Sequence, residues 1–336
     1  MIRKLLCAAL LLSLGGAPAR ADVTVRIATL APEGSSWMKL FHEWASAVDA
    51  GTRATPTPVK IKFFAGGVAG DERDVVRKMK LGSLDGGAVT AIGLGIIQPD
   101  VRVLEIPYFI MDYAELDHVR QVLDGEFHRK LEEKGYVLLT WGDVGPVHLF
   151  SSEELTSVEA LRRVKIWAWS DDRMTVRLFE ALKLNSVKLG VPDVLTSLQT
   201  GLINAVYGSP LSTLALQWNT KVKYMTSMSM SQSIGATIIT RKAFEAMSPA
   251  AQKVLAEATA VLGKKLLAQI REDNTRALKK MQQLGLKVVD TPAAVTDEVR
   301  KQSLALAPAL DGDVFSGDFR KKVEKIVAEY RAAHPR

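Results

Sequence analysis

The segment from Val164 to Pro210 reads VKIWAWSDDRMTVRLFEALKLNSVKLGVPDVLTSLQTGLINAVYGSP, and its pattern decides the fold. Short apolar runs alternate with stretches of helical periodicity, which predicts strand, helix, strand, helix and strand in that order. The predicted helices run from about Asp171 to Leu182 and from Pro192 to Thr200, and the last strand covers Ile203 to Tyr207. This alternation indicates an α/β protein with a parallel sheet, whose ligands bind beyond the carboxyl ends of the strands.

Three large aromatic side chains stand at predicted strand ends within this segment: Trp167, Trp169 and Tyr207. Aromatic rings at the ligand-binding edge of a sheet give a cleft an apolar lining. We therefore predict that these three residues bind the ligand.

The same segment is similar to the signature region of a known protein family. Lys165-Ile166, the run PDVLTSLQTG from Pro192 to Gly201, and Ile203-Asn204 resemble the periplasmic solute-binding subunits of tripartite ATP-independent periplasmic (TRAP) transporters, the DctP family. The resemblance extends over nearly the whole mature chain. It implies a receptor that captures a small-molecule ligand outside the inner membrane and delivers it to TRAP-type inner-membrane permease subunits, without doing chemistry on it.

The chain departs from the resembled family where the solute is bound. Trp167 stands where the family usually has a carboxylate-binding arginine, Val147 aligns with a second family arginine, and Tyr207-Gly208-Ser209 replaces a Glu-Asn pair. A planar guanidinium binds a carboxylate through two hydrogen bonds, which an indole cannot do. We therefore expect an atypical member with a hydrophobic or weakly charged ligand, lined by Val147 as well. The alternative is that Trp167 folds inward and a displaced basic residue such as Arg173 supplies the charge.

Three further residues are candidates for the cleft. Trp37 lies in the opening turn of a helix that follows the first predicted strand, and Thr90 ends a short buried strand that faces the solute in the resembled family. Phe109 belongs to the segment Leu104 to Phe109, which resembles a Leu-Pro-Phe segment of the family. For Phe109 a place in the core and a place beside the cleft both stay open.

The resemblance implies a two-lobed periplasmic binding protein of the class II-like type, with two mixed sheets, a strand hinge and a long domain-spanning helix. We assign residues 22–140 plus 235–270 to the first α/β lobe and residues 141–234 plus 271–336 to the second. Residues 1–21 form the predicted signal peptide. Closure of two lobes about a strand hinge would bury the ligand.

Two strands and one helix should connect the lobes. The strands are predicted near Tyr136 to Trp141 and near Ser229 to Thr240. The helix opens at Ser248-Pro249 and continues to Gly285, a length of about 54 Å at the usual rise per residue. A coiled-coil dimer is the competing interpretation, but the apolar stripe is interrupted at Asp273 to Ala277, so we expect a monomer.

The amino terminus has the order of a secretory signal peptide. Basic Arg3 and Lys4 precede an apolar run from Leu5 to Leu14, and Ala19-Arg20-Ala21 follows. The run is too short for a bilayer span, so an uncleaved anchor is disfavoured and the mature protein is expected in the periplasm. The single cysteine, Cys7, lies inside this run, which leaves the mature chain without disulfides, thiolate metal sites or a cysteine nucleophile.

The charge and the motifs argue against other classes of protein. Without the predicted signal peptide, 41 basic and 37 acidic residues give a formal charge of +4, and their interspersed pattern does not favour nucleic-acid binding. The five histidines form no zinc motif, and no nucleophile elbow or phosphate loop is present, so we predict no cofactor, no metal and no catalytic residue. Asp171 and Asp172 fit helix caps better than a metal site. The alternatives are a periplasmic accessory protein of an efflux or envelope system and, less favoured, a periplasmic enzyme.

Overall fold

A computed structural model describes residues 22–335 of the chain. The predicted signal peptide and Cys7 lie outside this range, which contains eleven strands and twelve α-helices. The strands are β1 Val23–Thr29, β2 Val59–Phe64, β3 Gly86–Thr90, β4 Tyr136–Pro146, β5 His148–Ser151, β6 Lys165–Trp169, β7 Asn185–Leu189, β8 Ala205–Gly208, β9 Tyr224–Thr226, β10 Gln232–Thr240 and β11 Lys287–Val289. The helices are α1 Ser36–Thr52, α2 Glu72–Lys80, α3 Ala91–Ile97, α4 Tyr113–Glu133, α5 Val158–Arg163, α6 Arg173–Ala181, α7 Val191–Thr200, α8 Pro210–Ala215, α9 Arg241–Glu245, α10 Pro249–Gln283, α11 Ala293–Leu306 and α12 Gly317–Ala333.

The strands form two mixed sheets. The first has the order β2-β1-β3-β10-β4, in which β1 is parallel to β2 and β3 while β10 is antiparallel to β3 and β4. The second has the order β11-β9-β5-β8-β6-β7, in which β6 is parallel to β7 and β8. The predicted α/β class with two mixed sheets is confirmed.

The segment that decided the fold forms β6, α6, β7, α7 and β8 in the predicted order. Helix α6 begins at Arg173 rather than Asp171, because Asp172 is its N-cap and accepts a hydrogen bond from the Thr175 amide at 3.1 Å. A capping residue stands just outside the helix that it stabilises.

Two long antiparallel strands connect the sheets. Strand β4 pairs with β10 along its length, from Tyr136 opposite Thr240 to Pro146 opposite Gln232. Val147 is the single residue between β4 and β5, and it exchanges backbone hydrogen bonds of 2.9 Å with Met230 and Ser231. The first crossing strand is therefore longer than the predicted Tyr136 to Trp141.

Helix α10 spans both sheets, as the sequence pattern suggested. Its 35 residues begin at Pro249 after Ser248, whose hydroxyl accepts from the Ala251 amide at 3.3 Å. The helix is about 52 Å long. Leu262 packs in the core of the first sheet, whereas Met281 packs in a core of the second. No helix within residues 22–335 is both long and apolar enough to cross a membrane.

The C-terminal helix α12 does not follow the predicted boundary, which put residues 271–336 in the second lobe. Phe319 packs against Phe127 of α4 with ring centroids 5.5 Å apart, and Arg331 donates to Glu115 at 2.7 Å. Both partners belong to the first sheet's helix layer. A sequence pattern does not show against which layer a terminal helix packs, and on these contacts we propose to assign α12 to the first lobe.

Candidate ligand-binding cleft

A cavity of about 200 Å³ lies between the two sheets. Its walls come from the ends of β1, β3, β6 and β8 and from the crossing strands β4 and β10. A cavity at the carboxyl ends of parallel strands is the usual ligand site of an α/β fold. Both lobes thus contribute to the walls of one cavity.

Four aromatic side chains of the second lobe form one wall, which we call the aromatic cluster: Trp167, Trp169, Tyr207 and Trp218. Trp167 is at its centre. Its ring is stacked on Tyr207 with centroids 4.8 Å apart and planes 18° apart, and Trp218 packs edge-on at 5.2 Å. Trp167 is only 2% exposed, so it supports the wall more than it covers the cavity surface.

Hydrogen bonds fix the indoles of the aromatic cluster. The Trp167 indole N–H donates to the Leu189 carbonyl at 3.0 Å, and the Trp169 indole N–H donates to Asp71 at 2.9 Å. Asp71 also accepts from the Val191 amide at 3.2 Å. Asp71 precedes α2 in the first lobe, so the Trp169 contact crosses the cleft. Burial raises the pKa of Asp71, which these hydrogen bonds partly offset.

Trp37, Thr90 and Val147 also line the cavity. The Trp37 indole donates to the Asp143 carbonyl at 3.2 Å. Thr90 is the N-cap of α3 and its hydroxyl already accepts from the Ile92 amide at 3.1 Å. With the three predicted aromatic residues, six of the seven predicted ligand-binding residues meet at this cavity.

Phe109 is the exception, and its side chain does not line the cavity. It is 8% exposed and packs in the core of the first lobe. The preceding Tyr108 has a φ of 64°, and Glu105 and Pro107 are the residues of this segment that line the cavity. A left-handed residue reverses the chain locally, which a sequence pattern does not reveal.

Three charged side chains in the cavity wall form what we call the buried triad: Arg102, Glu105 and Asp172. Arg102 is 5% exposed. It donates from Nη2 to Asp172 at 2.9 Å and from Nη1 to Glu105. Arg102 and Glu105 lie on a 3-10 helix of the first lobe, Pro99–Glu105, whereas Asp172 caps α6 in the second. The triad therefore joins the lobes.

The buried triad contains one guanidinium and two carboxyl groups, which influence one another's pKa. Desolvation disfavours the charged form of Arg102, but the carboxylates of Asp172 and Glu105 outweigh it and the pKa of Arg102 is raised. Burial raises the pKa of Glu105 although Arg102 opposes the shift. Burial and the nearby Asp172 charge also raise the pKa of Tyr207, which keeps its hydroxyl neutral.

A further carboxylate, Glu72, occupies the amino terminus of α3. It accepts from the Thr90 amide at 2.7 Å and from the Gly93 amide at 2.6 Å. The start of a helix attracts anions through its free N–H groups and its dipole. Burial is the largest influence on this group and raises the pKa of Glu72 to about 7.

Arg173, the basic residue expected to supply the charge if Trp167 folds inward, does not line the cavity. It lies on the surface and donates to the carbonyl of Asp313 at 3.2 Å. Among the described residues of the cavity wall, Arg102 is the single lysine or arginine. No group of three or more histidine, cysteine, aspartate or glutamate side chains within residues 22–335 is arranged to hold a metal ion.

The sequence pattern does not reveal the buried triad or the place of Trp218 at the cavity. Arg102 and Glu105 are three residues apart, a spacing typical of exposed helix faces, and Asp172 is 70 residues from Arg102. Trp218 lies on a short 3-10 helix after α8, and the strand-end pattern therefore does not predict it as a cleft residue.

The sequence profile of DctP, described as bacterial extracellular solute-binding protein family 7, matches residues 27–309. The chain belongs to this family. Members of the DctP family are solute-binding receptors of the periplasm rather than enzymes, so the expectation of a non-enzymatic receptor is confirmed by family membership.

Relatives of known sequence or structure agree with this assignment. A solute-binding protein from Verminephrobacter eiseniae is 23% identical over 280 residues, which cover 82% of this chain and 81% of the relative. An extracytoplasmic solute receptor of Bordetella pertussis that binds pyroglutamic acid is 16% identical with a TM-score of 0.83, covering 91% of this chain and 99% of its own. A TRAP periplasmic solute-binding protein from Ralstonia eutropha with bound (S)-2-acetolactate is 21% identical with a TM-score of 0.83 over the same shares. At these identities the structures show a common fold.

Proposed function

We propose that this DctP-family protein is the periplasmic receptor of a TRAP-type secondary transporter for a small hydrophobic or weakly charged solute. The solute would bind between the lobes and be delivered to the inner-membrane permease subunits. We expect the receptor to act as a monomer and to bind no nucleic acid. Membership of the DctP family supports the receptor role, and the composition of the cleft supports the class of solute.

The observation that carries the solute class is the aromatic cluster, with Trp167 stacked on Tyr207 at 4.8 Å. The indole N–H groups of Trp167 and Trp169 donate to Leu189 and Asp71, so the part of the cavity wall that the cluster forms is apolar. Burying one apolar side chain or an equivalent solute group contributes about 1.5–3 kcal/mol. A few such contacts can hold a small solute without an ionic anchor.

Arg102 is the single lysine or arginine among the described residues of the cavity wall, and its pairing supports the same solute class. Arg102 is engaged by Glu105 and Asp172, so its charge is already compensated within the protein. The structural relatives described above bind acids. We propose a different solute for this chain, because the residues of the binding site, rather than the fold, select the ligand.

Calorimetric titration with two sets of solutes tests the proposal. Uncharged solutes with an aromatic or aliphatic body should bind, and sugar acids such as galacturonate should bind far more weakly. Replacing Trp169 by alanine should lower the affinity for apolar solutes about tenfold, since that indole borders the cavity. Trp141→Ala is the matched control, because Trp141 packs on Phe127 away from the cavity. Tight binding of sugar acids and none of apolar solutes would refute the proposed solute class.

Uptake measurements test the transport role. Deleting the gene should abolish uptake of the bound solute in cells that contain the TRAP-type permease subunits. Normal uptake together with a defect in efflux or in the cell envelope would instead support the accessory role.

A further inference from the structure

We propose that Glu105 and Asp172 are specificity-determining residues, which hold Arg102 in internal ion pairs and thereby make the cleft reject solutes with a carboxylate. The inference rests on the proposed receptor function and goes beyond it, because it assigns the selection against acids to two named side chains. In effect, the protein supplies its own carboxylates where an acidic solute would bind.

The geometry of the buried triad leaves Arg102 little to offer a solute. One terminal nitrogen of the guanidinium donates to Glu105 and the other donates to Asp172 at 2.9 Å. Arg102 is only 5% exposed and already lies against two carboxyl groups, so a solute carboxylate that approached its remaining N–H groups would be repelled by Glu105 and Asp172. A solute carboxylate that instead displaced either partner would leave that partner buried without its cation, which is strongly unfavourable.

Independent contacts hold both carboxylates in place. Glu105 accepts from the Ile234 amide at 2.8 Å and from the Ser233 hydroxyl at 3.1 Å. Asp172 accepts from the amide and the hydroxyl of Thr175 at 3.1 and 2.6 Å. Because these contacts do not involve Arg102, the two acids cannot turn aside without losing them, and the ion pairs are preorganised.

A further acidic group of the chain, Glu72, also lines the cavity. It accepts hydrogen bonds from the backbone amides of Thr90 and Gly93, which hold its carboxyl group in place. The polar part of the cavity wall is therefore rich in hydrogen-bond acceptors, which favours an uncharged solute over an anion.

The neighbouring Asp171 provides a matched control for lobe closure. It forms an ion pair with Arg73 of α2, and this pair also joins the two lobes. Neither residue lines the cavity. Removing the Asp171 charge therefore weakens an inter-lobe contact without releasing Arg102.

The test compares phenylacetate with phenylacetamide, which share one apolar body and differ in charge. Wild-type protein should bind the amide at least about tenfold more tightly, as measured by calorimetry. In the double variant Glu105→Gln with Asp172→Asn, the freed Arg102 should increase affinity for phenylacetate by about tenfold or more, the scale of a charged hydrogen bond. Adding Arg102→Gln should remove this gain, and Asp171→Asn alone should leave the wild-type preference unchanged.

The single variants Glu105→Gln and Asp172→Asn each give an independent result if the double variant is unstable. Phenylacetate should then raise the melting temperature of the single variant more than phenylacetamide does, the reverse of wild type. Measurable binding of acid and amide by wild type with equal affinity, no gain of acid affinity in the variants, or the same gain in Asp171→Asn would overturn the inference. If the variants gain acid binding while wild type binds no apolar solute, the inference stands and the proposed solute class fails.

Discussion

The two walls of the cleft differ in the chemistry of the side chains that they bury. The second lobe contributes the aromatic cluster, in which Trp167, Tyr207 and Trp218 hold one another by ring packing. The first lobe contributes Arg102 and Glu105, which are matched with Asp172 across the cleft. The aromatic cluster carries no charge, whereas Arg102 lies between two carboxyl groups of the chain. An apolar cleft can thus contain an arginine, provided that the protein itself supplies the anions that pair with it.

The largest expected effect comes from disrupting the buried triad. Replacing Arg102 by methionine leaves Glu105 and Asp172 buried without a cation, so we expect the free energy of unfolding to fall by about 3–5 kcal/mol. Urea denaturation measures this change. The control is Arg129→Met, which removes an ion pair with Glu133 whose arginine side chain is 61% exposed and should cost at most about 1 kcal/mol. Equal losses in the two variants would show that the buried triad is not the special feature of this wall.

A pH dependence should follow from Glu72 in the same wall. Its pKa is raised from 4.5 to about 7 in the folded protein because the carboxyl group is buried. Between these values the folded state binds more protons than the unfolded state, so this group makes stability fall as pH rises from 4.5 to 7 and has no further effect above that. The total change is about 3 kcal/mol.

The variant Glu72→Gln isolates this effect, because it keeps the shape of the side chain and does not titrate. Unfolding free energies of both proteins should be measured by urea denaturation at pH 5, 6 and 7.5. The difference between wild type and variant should change with pH in favour of wild type at the acidic end. A difference that stays constant over this range would contradict a raised pKa for Glu72.

The smallest of the three effects concerns the contact between the walls. Trp169→Phe keeps an aromatic ring but removes the indole N–H that donates to Asp71 at 2.9 Å. A hydrogen bond to a charged group contributes about 1.5–3 kcal/mol, and we expect the lower end here because Asp71 keeps its backbone donors. Thermal unfolding compared with Trp141→Phe measures the difference. An unchanged stability would mean that the Asp71 contact does not help to hold the lobes together.

The apolar wall could be predicted from the sequence because it depends on local pattern. Alternating strands and helices placed Trp167, Trp169 and Tyr207 at strand ends, and parallel strands bring such ends together. The position after the first strand predicts Trp37 at the cavity, whereas the resemblance to the family predicts Thr90 and Val147, and all three line it.

The ionic wall could not be predicted in this way. Arg102 and Asp172 are 70 positions apart in the sequence, and neither belongs to a motif that indicates a buried ion pair. Phe109 packed into the core after the left-handed Tyr108, and α12 returned to the first lobe by packing Phe319 on Phe127. These outcomes depend on tertiary contacts rather than on residue periodicity.

The most direct test of the account is to identify the solute that the receptor carries. Protein should be purified from the periplasm under mild conditions, and the solute it releases on denaturation should be analysed by mass spectrometry. We expect an uncharged or weakly charged molecule with an apolar body. A dicarboxylate, a sugar acid or another solute that depends on a carboxylate for binding would contradict an apolar, charge-compensated cleft.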